Sequence, residues 1–436
     1  MSFIQQTTDK NYYRSSKQLF ALIDCNSFYA SCERIFNTKI IKKPVVVLSN
    51  NDGCIIARSD EAKELGIQMG EPFFKAKDII TKNKVNVFSS NYSLYGDISN
   101  RVMEVLSTFS PEIEIYSIDE AFLKFDGFNE KKIDDHCKKI RDTIKQWIGI
   151  PVSVGVGRTK TLAKVANHLA KKNKEKKGIS ILLEEKEIKQ ELSILDVKDI
   201  WGIGKKLSIF LKSNGIYSAF DFLQKERGWV RKNMGVIGER IVMELLGLSC
   251  LSLEMIPNSK KNCCVSRSFG YPIETFEDLS QSVANYATRA AEKLREDNLV
   301  TNVMSLFLLT NYFNKKDLQY SNSLKIQIDY LTNDTVVIVK KALEGLKKIY
   351  RPGYKYKKAG IIMLNLSQES NIQGLFEFNK EKSSSLMKSF DSINLRYGNS
   401  TIHTAAEGIN KLWSMQRQKM SPCYTTRFNE LLKVDL

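Results

Sequence analysis

Three carboxylates at the ends of apolar segments are the residues of this chain best suited to catalysis. Asp24 follows the apolar run 19–23, and the adjacent pair Asp119 and Glu120 follows the alternating stretch 112–116. A carboxylate at the end of a buried strand is costly to bury unless it is paired or holds a cation. Three such groups brought together could hold two divalent metals, which favour oxygen ligands and stabilise both reacting oxygens of a phosphoryl transfer. The alternative is that each acid simply ends a turn at the surface.

The elements that must position these acids follow a specific order. Hydrophobic periodicity predicts a strand at 19–24, helices at 28–36 and 93–109, strands at 112–118 and 121–126, a helix at 131–148 and a strand at 151–156. If the two helices between the first two strands are taken together, this is the β-α-β-β-α-β order that is typical of the ferredoxin-like arrangement. It places Asp24 at the end of the first strand and Asp119–Glu120 at the tip of a tight hairpin. Neighbouring residues of a straight strand face opposite ways, so a turn there lets both carboxylates address one site.

Length and charge narrow the possible classes of protein. The 436 residues are enough for two to four domains. The net charge of +17 favours a polyanionic partner, either nucleic acid or an acidic membrane surface. We find no run of 18 apolar residues and no signal-peptide core, which argues against a membrane or exported protein. Eight cysteines without Cys-x-x-Cys spacing and three separated histidines argue against zinc and predict a reduced, cytoplasmic protein.

The segments around the acids resemble the two metal-site motifs of the Y-family, the translesion DNA polymerases. The first is Asp-Cys-Asn-Ser-Phe-Tyr-Ala-Ser-Cys-Glu at 24–33, and the second is Tyr-Ser-Ile-Asp-Glu-Ala-Phe-Leu at 116–123. The stretch 44–58 is similar to the bacterial UmuC-type branch, and the resemblance extends over 18–436. It implies an error-prone, template-directed DNA polymerase that performs translesion synthesis in the bacterial SOS response to DNA damage.

The resemblance also implies an α+β multidomain fold. Its expected domains are a ferredoxin-like palm at 18–36 and 93–184, a small fingers insertion at 37–92, a helix-hairpin-helix thumb at 185–250, an α+β little finger at 260–366 and a C-terminal extension at 367–436. Two features of the sequence agree with this division. Gly202-x-Gly204 between short helices would let backbone amides approach a phosphate. Strand-like and helical stretches alternate from about residue 262.

The family's metal and sugar sites map onto the first motif and the acidic pair. The resemblance implies that Asp24, Asp119 and Glu120, together with the backbone carbonyl of Cys25, hold two Mg²⁺ ions. It assigns Phe28 and Tyr29 to the nucleotide site, with Tyr29 as the steric gate whose ring leaves no room for a ribose 2′-hydroxyl. The alternative for Tyr29 is an aromatic residue of the core.

Basic residues supply the expected contacts with the triphosphate. Lys63 and Lys171 match the family's triphosphate-binding positions, and Arg58 lies on the same fingers stretch. Asp60 stands where many relatives carry a triphosphate-binding tyrosine. The region 158–177 has eight Lys or Arg against one Glu, which favours a basic patch. Residues 155–161 lack the glycine and lysine spacing of a phosphate loop, so an ATPase is excluded.

The expected DNA contacts lie in the thumb and the little finger. In the thumb they are Gly202, Gly204 and Lys205. In the little finger they are Arg267, Ser268, Lys355, Lys357 and Lys358. The last three belong to a longer basic run with interleaved tyrosines, which fits phosphate tracking along the template: Lys340, Lys341, Lys347, Lys348, Arg351, Lys355, Lys357 and Lys358. A solvated face is the alternative.

Protein partners are implied by the resemblance alone. Gln373, Leu375 and Phe376 match a degenerate clamp-binding segment, or are ordinary apolar anchors. A processed UmuD-type subunit and the RecA filament are the other expected partners, besides the sliding clamp, primer-template DNA and deoxynucleoside triphosphates. Two rival functions remain: a catalytically silent DNA-binding scaffold of the same fold, and a two-metal nuclease, which would need neither Tyr29 nor the fingers insertion.

Overall fold

The computed structural model describes residues 18–127, 129–256, 259–371, 380–398, 400–409, 411 and 413–431. These residues form two compact units. The first contains the described residues within 1–48, 54–257 and 419–436, and the second contains those within 49–53 and 258–418. Within the described residues, no helix combines the length and apolar character needed to cross a bilayer.

The first unit is built around a five-stranded sheet. Its first half contains, in chain order, β1 (Phe20–Cys25), α1 (Phe28–Ile35), β2 (Val45–Leu48), β3 (Ile55–Arg58), α2 (Asp60–Glu64), α3 (Phe73–Lys82), β4 (Asn86–Ser89), α4 (Tyr92–Ser107), β5 (Ile113–Ile115), β6 (Glu120–Lys124), α5 (Ile133–Trp147), β7 (Val152–Gly157), α6 (Lys160–Lys172) and β8 (Ile179–Leu182). The strand order is β5-β6-β1-β7-β8. The first four of these positions form the predicted ferredoxin-like sheet, and β8 adds a strand parallel to β7 that the prediction did not contain.

Strand β1 lies at the centre of this sheet and is buried along its whole length. Ala21 and Ile23 belong to the large core that also contains residues of α4 and α5. Phe20 and Leu22 point to the other side, where they pack with Ala163 of α6. Because helices cover both faces, β1 is a continuous apolar run rather than an alternating one. Asp24 is therefore carried to the end of a strand whose position is fixed on both sides.

Gly155 of β7 allows helix α6 to approach the sheet closely. A Cβ atom at this position would lie 2.1 Å from the backbone nitrogen of Asn167 and 2.4 Å from the carbonyl oxygen of Ala163. We expect Gly155→Ala to lower the free energy of unfolding by about 1–3 kcal/mol or more, because backbone atoms cannot move aside as a side chain can. Chemical denaturation of the full-length protein measures this loss.

Gly96 in α4 is the matched control for that substitution. A Cβ atom there would meet nothing within 4 Å, and alanine favours a helix by about 1 kcal/mol over glycine. Gly96→Ala should therefore be neutral or stabilising. Equal stability of the Gly155→Ala variant and the wild type would contradict the close packing of α6 on β7.

Two smaller assemblies complete the first unit. Strands β3-β2-β4 form a separate sheet from the predicted fingers insertion. The predicted thumb forms helices α7 (Glu185–Ile194), α8 (Lys205–Ser213), α9 (Ala219–Leu223) and α10 (Arg227–Leu245). Gly235 interrupts α10 with φ of 66° and ψ of −161°, a conformation that glycine adopts readily. α10 therefore consists of two helical segments that join at Gly235.

The second unit is a four-stranded sheet with helices packed on one face. Its elements are β9 (Cys263–Ile273), α11 (Phe276–Glu296), β10 (Leu299–Thr310), β11 (Ser321–Thr332), α12 (Thr335–Ile349), β12 (Tyr356–Leu364), β13 (Ser367–Gln368) and α13 (Lys380–Tyr397). The strand order is β11-β10-β12-β9, and β13 pairs with β10. The predicted α+β multidomain fold is confirmed, while the boundaries of the five domains stay a prediction.

Candidate active site

The three predicted acids lie at one end of the central sheet. Asp24 is directly opposite Glu120 in the antiparallel pairing of β1 with β6. Asp119 precedes Glu120 in the turn between β5 and β6, and its carbonyl oxygen accepts a hydrogen bond of 2.8 Å from the backbone amide of Cys25. The Asp119 carboxylate accepts a 2.6 Å hydrogen bond from the Ser117 hydroxyl. The strand pairing and the hairpin therefore bring the acids together, as predicted.

Two lysines of α6 form ion pairs with two of these three acids. Lys171 Nζ lies 2.5 Å from Asp24 Oδ2, and Lys164 Nζ lies 3.0 Å from Glu120 Oε2. Burial raises the pKa of the Asp24 carboxyl to about 7, although the Lys171 ammonium lowers it. A buried carboxylate in this position needs a cation close by. The site therefore attracts positive charge.

The donor set fits hard divalent ions in its chemistry. Carboxylate oxygens are the ligands that such ions prefer, and positively charged ammonium groups already lie against two of the three acids. As the side chains stand, no group of three His, Cys, Asp or Glu residues in the described part of the chain is arranged to hold a metal. The side chain of Asp119 is hydrogen-bonded to Ser117. Binding of metal at this site would thus require changes in side-chain contacts.

Lys164 is a site residue that the sequence reasoning did not single out. Its Nζ atom lies 4.4 Å from the centre of the Tyr116 ring and 5.2 Å from that of Trp201. The Trp201 indole donates a hydrogen bond of 3.3 Å to the Tyr116 hydroxyl. These rings hold the ammonium group beside Glu120 by cation–π attraction. The basic stretch 158–177 was the signal for this residue, but spacing alone did not distinguish Lys164 from its neighbours.

Tyr29 lies in a group of aromatic rings at the edge of the core. Its ring stacks on that of Tyr95, with centroids 4.4 Å apart and planes inclined by 16°. Tyr92 meets Tyr29 edge-on at 6.1 Å. Phe28 is buried in the core, whereas Tyr29 is only half-buried. The structure is consistent with either function of Tyr29, since one side of its ring is packed and part of it is accessible. Its assignment as a gate stays a prediction.

The fingers residues take different positions. Lys63 Nζ contacts Ser27, the residue that precedes α1, at 3.0 Å, and it pairs with Asp60 at 2.7 Å. Asp60 thus holds the predicted phosphate-binding lysine near the start of α1. Arg58 donates a hydrogen bond to the carbonyl oxygen of Ile67 and is half-buried. Lys63 therefore lies beside the start of α1, whereas Arg58 is bonded to the backbone of Ile67. The triphosphate contacts of both residues stay predictions.

The predicted basic patch at 158–177 is largely neutralised by acids. Lys160 forms a buried pair with Glu114 at 2.6 Å. Further pairs join Arg158 to Glu130, Lys164 to Glu120, Lys171 to Asp24, and Lys176 to Glu191. These lysines therefore organise the sheet and its acids, and they do not form one unpaired positive surface.

The segment Gly202-x-Gly204 of the predicted thumb has the backbone expected for a turn. Gly202 has φ of 90°, in the region that favours glycine. Gly204 precedes the first residue of α8, Lys205, and all three are exposed. The amides at the start of α8 are therefore accessible to a phosphate. Binding of DNA at this turn stays a prediction.

The little-finger residues are divided between different environments in the second unit. Lys355 pairs with Asp317 at 3.5 Å, and Lys357 donates a 2.7 Å hydrogen bond to the carbonyl oxygen of Phe269. Burial lowers the pKa of Lys357. Lys358 lies opposite Ser268 in the pairing of β12 with β9, and Arg267 is exposed on β9. These five residues therefore differ in their partners and exposure, and their binding of DNA stays a prediction. The predicted clamp segment, Gln373, Leu375 and Phe376, lies outside the described residues.

The fold and the acids together define a site suited to nucleotidyl transfer, and comparisons with known proteins identify the family. Residues 23–168 match the impB/mucB/samB family, and residues 260–375 match its C-terminal domain. Residues 384–434 match a domain of unknown function, DUF4113. Protein UmuC of Salmonella typhimurium strain LT2 is 42% identical over 95% of this chain and 100% of its own length. Protein ImpB of Salmonella typhimurium is 40% identical over 95% of this chain and 99% of its own.

A similar fold occurs in a solved structure of a Y-family DNA polymerase chimera of Dbh and Dpo4. It is 22% identical in sequence, has a TM-score of 0.64, and covers 80% of this chain and 99% of the chimera. The chain therefore belongs to the impB/mucB/samB family and is a UmuC-type DNA polymerase of the Y-family. The family and the enzyme class that the motifs predict are confirmed.

Proposed function

We propose that this DNA-directed DNA polymerase carries out error-prone translesion synthesis in the bacterial SOS response through an active site built on Asp24, Asp119 and Glu120. The observation that carries the proposal is the backbone pairing that places Asp24 opposite Glu120, with Asp119 in the adjoining β5–β6 turn. Primer extension on undamaged and lesion-containing templates tests it. Failure to extend past any lesion that stops a replicative polymerase would overturn the translesion role.

The residues around the acids have separate roles in this mechanism. We expect Asp24, Asp119, Glu120 and the Cys25 carbonyl to hold two Mg²⁺ ions. Bound Mg²⁺ would supply positive charge at the reacting oxygens and lower the pKa of the primer 3′-hydroxyl. Lys171 and Lys63 would bind triphosphate oxygens, and Tyr29 would exclude a ribose 2′-hydroxyl. Lys164 would hold the Glu120 carboxylate in position from its aromatic surroundings.

The rival functions are separated by the products of one reaction. A nuclease would shorten the labelled primer, a silent scaffold would leave it unchanged, and a polymerase lengthens it. The family membership favours the polymerase. The same assay with and without a processed UmuD-type protein tests that proposed partner. The RecA filament and the sliding clamp are proposed as further partners, and a cytoplasmic location follows from chromosomal DNA as the proposed substrate.

One face of the second unit's sheet is proposed to track DNA phosphates. Met304, Leu306 and Leu308 point into the core on the helix-covered face of β10. The alternate residues of β10 face the other way, and they pair with Lys325 of β11 and Lys358 of β12. Lys358 Nζ also lies 5.9 Å from the centre of the Phe307 ring. Two lysines and an aromatic ring therefore share the face opposite to the one that carries Met304, Leu306 and Leu308.

Changing Lys325 and Lys358 together to alanine should weaken the salt dependence of primer-template binding. Each lysine that neutralises a phosphate contributes about 0.9 to the slope of log affinity against log salt, so the double variant should lose about 1.8. Fluorescence anisotropy over a series of salt concentrations measures this slope.

A matched control removes two exposed lysines from the helices of the same unit, Lys293 of α11 and Lys388 of α13. It changes the net charge equally, so its slope should stay close to that of the wild type. If both double variants lost the same slope, general electrostatics would explain the effect, and this face of the sheet would not be the DNA-binding surface.

A further inference from the structure

The C-terminal segment, residues 419–431, is part of the first unit and is held there by hydrogen bonds around β4 and α4. The backbone amide of Ser89 donates to the carbonyl oxygen of Lys419 at 2.9 Å, and the Ser89 hydroxyl accepts from the Lys419 amide at 2.9 Å. The side-chain amide of buried Asn91 donates to the carbonyl oxygens of Ser421 and Pro422 at 3.0 and 3.1 Å. Asn91 also caps the start of α4. The segment is thus fixed to the start of the helix that carries Tyr95.

The same segment also contacts α1, the helix that carries Tyr29. The Ser421 hydroxyl donates a 3.1 Å hydrogen bond to Glu33 Oε1. Farther along, the ring of Tyr424 stacks on that of Phe36, with centroids 4.6 Å apart and planes inclined by 19°. Phe36 immediately follows α1. The segment therefore contacts both Glu33 within this helix and the residue at its end.

Glu33 joins the C-terminal segment to the aromatic rings of the nucleotide site. Its Oε1 atom accepts a 2.6 Å hydrogen bond from the Tyr95 hydroxyl as well as the one from Ser421. The Tyr95 ring is the one on which Tyr29 stacks. Ser421, Glu33 and Tyr95 are all buried. A continuous series of contacts thus leads from Ser421 through a carboxylate and a tyrosine to the ring of Tyr29.

Burial makes this series sensitive to the loss of one donor. Burial raises the pKa of Glu33 to about 7, while the hydrogen bonds from Tyr95 and Ser421 oppose that rise. Without the Ser421 hydroxyl, the carboxylate would lose one of the two donors described for it. An unsatisfied buried acceptor is costly, so the side chain would shift or recruit water. Either change would alter the anchor of the Tyr95 hydroxyl.

We propose that the C-terminal segment positions the sugar gate: through Ser421 and Glu33 it fixes Tyr95, and Tyr95 fixes the ring of Tyr29. Ser421, Glu33 and Tyr95 are then positioning residues that touch no substrate. This inference rests on the proposed role of Tyr29 as the gate. It gives a task to part of a region that matches a domain of unknown function.

The test measures sugar discrimination in the full-length protein. The quantity is the ratio of kcat/KM for a deoxynucleotide to kcat/KM for its ribonucleotide. We expect Ser421→Ala to lower this ratio about three- to tenfold, the range that corresponds to one lost hydrogen bond. Ser421→Thr keeps the hydroxyl and should restore the ratio. Thr426→Ala removes an exposed hydroxyl from the same segment and should leave the ratio unchanged.

Tyr95→Phe provides a second route to the same contact. It removes the hydroxyl that donates a hydrogen bond to Glu33 but keeps the ring. It should lower the deoxynucleotide-to-ribonucleotide ratio by a similar factor. Because both changes break one series, the double variant should be little worse than either single variant. Additive effects would overturn the proposal. So would an equal fall in kcat/KM with both sugars, which is the mark of a merely structural role.

The outcome for Tyr29→Ala separates failure of the inference from failure of the proposed gate. If Tyr29→Ala relaxes sugar discrimination and neither Ser421→Ala nor Tyr95→Phe does, the gate stands and the positioning role is wrong. If Tyr29→Ala leaves the ratio unchanged, Tyr29 is not the gate and the inference falls with it. Thermal melting of every variant establishes that the compared proteins are folded.

Discussion

Alanine at Asp119 or Glu120 is expected to reduce primer extension by at least about 10²- to 10³-fold, the loss typical when a charged group that stabilises a transition state is removed. Affinity for the primer-template should stay close to that of the wild type. The acids act on the chemistry, whereas lysines and arginines provide most of the affinity for DNA phosphates. Single-turnover extension and fluorescence anisotropy measure the two quantities separately.

Glu112→Ala is the matched control for these variants. Glu112 lies just before β5, at the other end of the same hairpin, and it pairs with Lys124 at 3.1 Å. Its loss should leave extension unchanged. If the Asp119→Ala or Glu120→Ala variant extended primers at a rate close to that of the wild type, the replaced residue would not be part of the active site. A parallel loss of DNA affinity would instead point to misfolding of the hairpin.

Tyr29→Ala is expected to admit ribonucleotides, lowering the discrimination ratio by about tenfold or more while deoxynucleotides are still used. The reason is steric, because the ring would occupy the space of a 2′-hydroxyl and alanine would vacate it. The measurement is the same ratio of kcat/KM for the two sugars, together with a melting curve.

The alternative for Tyr29 predicts a different pair of results. Truncating a fully buried aromatic residue costs about 3–5 kcal/mol, and it would lower activity with both sugars alike. Tyr29 is only half-buried, so the loss of stability should fall below that range. Tyr217→Ala, at an exposed tyrosine of the thumb, controls for the loss of a tyrosine. An unchanged ratio with a large fall in melting temperature would make Tyr29 a packing residue.

The sequence by itself determined the order of the elements and the positions of the acids. Apolar periodicity reports local structure, so the predicted strand at 19–24 and helix at 131–148 correspond to β1 and α5. Given that order, Asp24 had to end the first strand and Asp119–Glu120 had to lie at the hairpin. The motifs around them indicated the family that the comparisons confirm. These inferences needed only residues close together in the chain.

The tertiary structure decided which charged groups meet. The stretch 158–177 reads as a basic patch, yet its lysines pair with acids of distant strands, such as Glu120 and Asp24. Likewise, Lys357 donates a hydrogen bond to the carbonyl oxygen of Phe269, although its neighbour Lys358 pairs with Leu309 on the opposite face of the sheet. Hydrophobic periodicity indicates which face of an element carries a side chain, but it does not identify the residues that this side chain contacts.

The contact between the C-terminal segment and α1 likewise could not be inferred from the sequence, because its residues are far apart along the chain. Ser421 and Glu33 are 388 residues apart, yet the Ser421 hydroxyl bonds the Glu33 carboxylate. Nothing in the polar, irregular sequence around Ser421 indicates a partner, because a single hydroxyl has no periodic signature. Such a contact requires the sheet and its helices to bring Glu33 and Tyr95 together. The sequence therefore determined where Asp24, Asp119 and Glu120 lie in the order of the elements, and only the folded chain determined which groups surround Tyr29 and Tyr95.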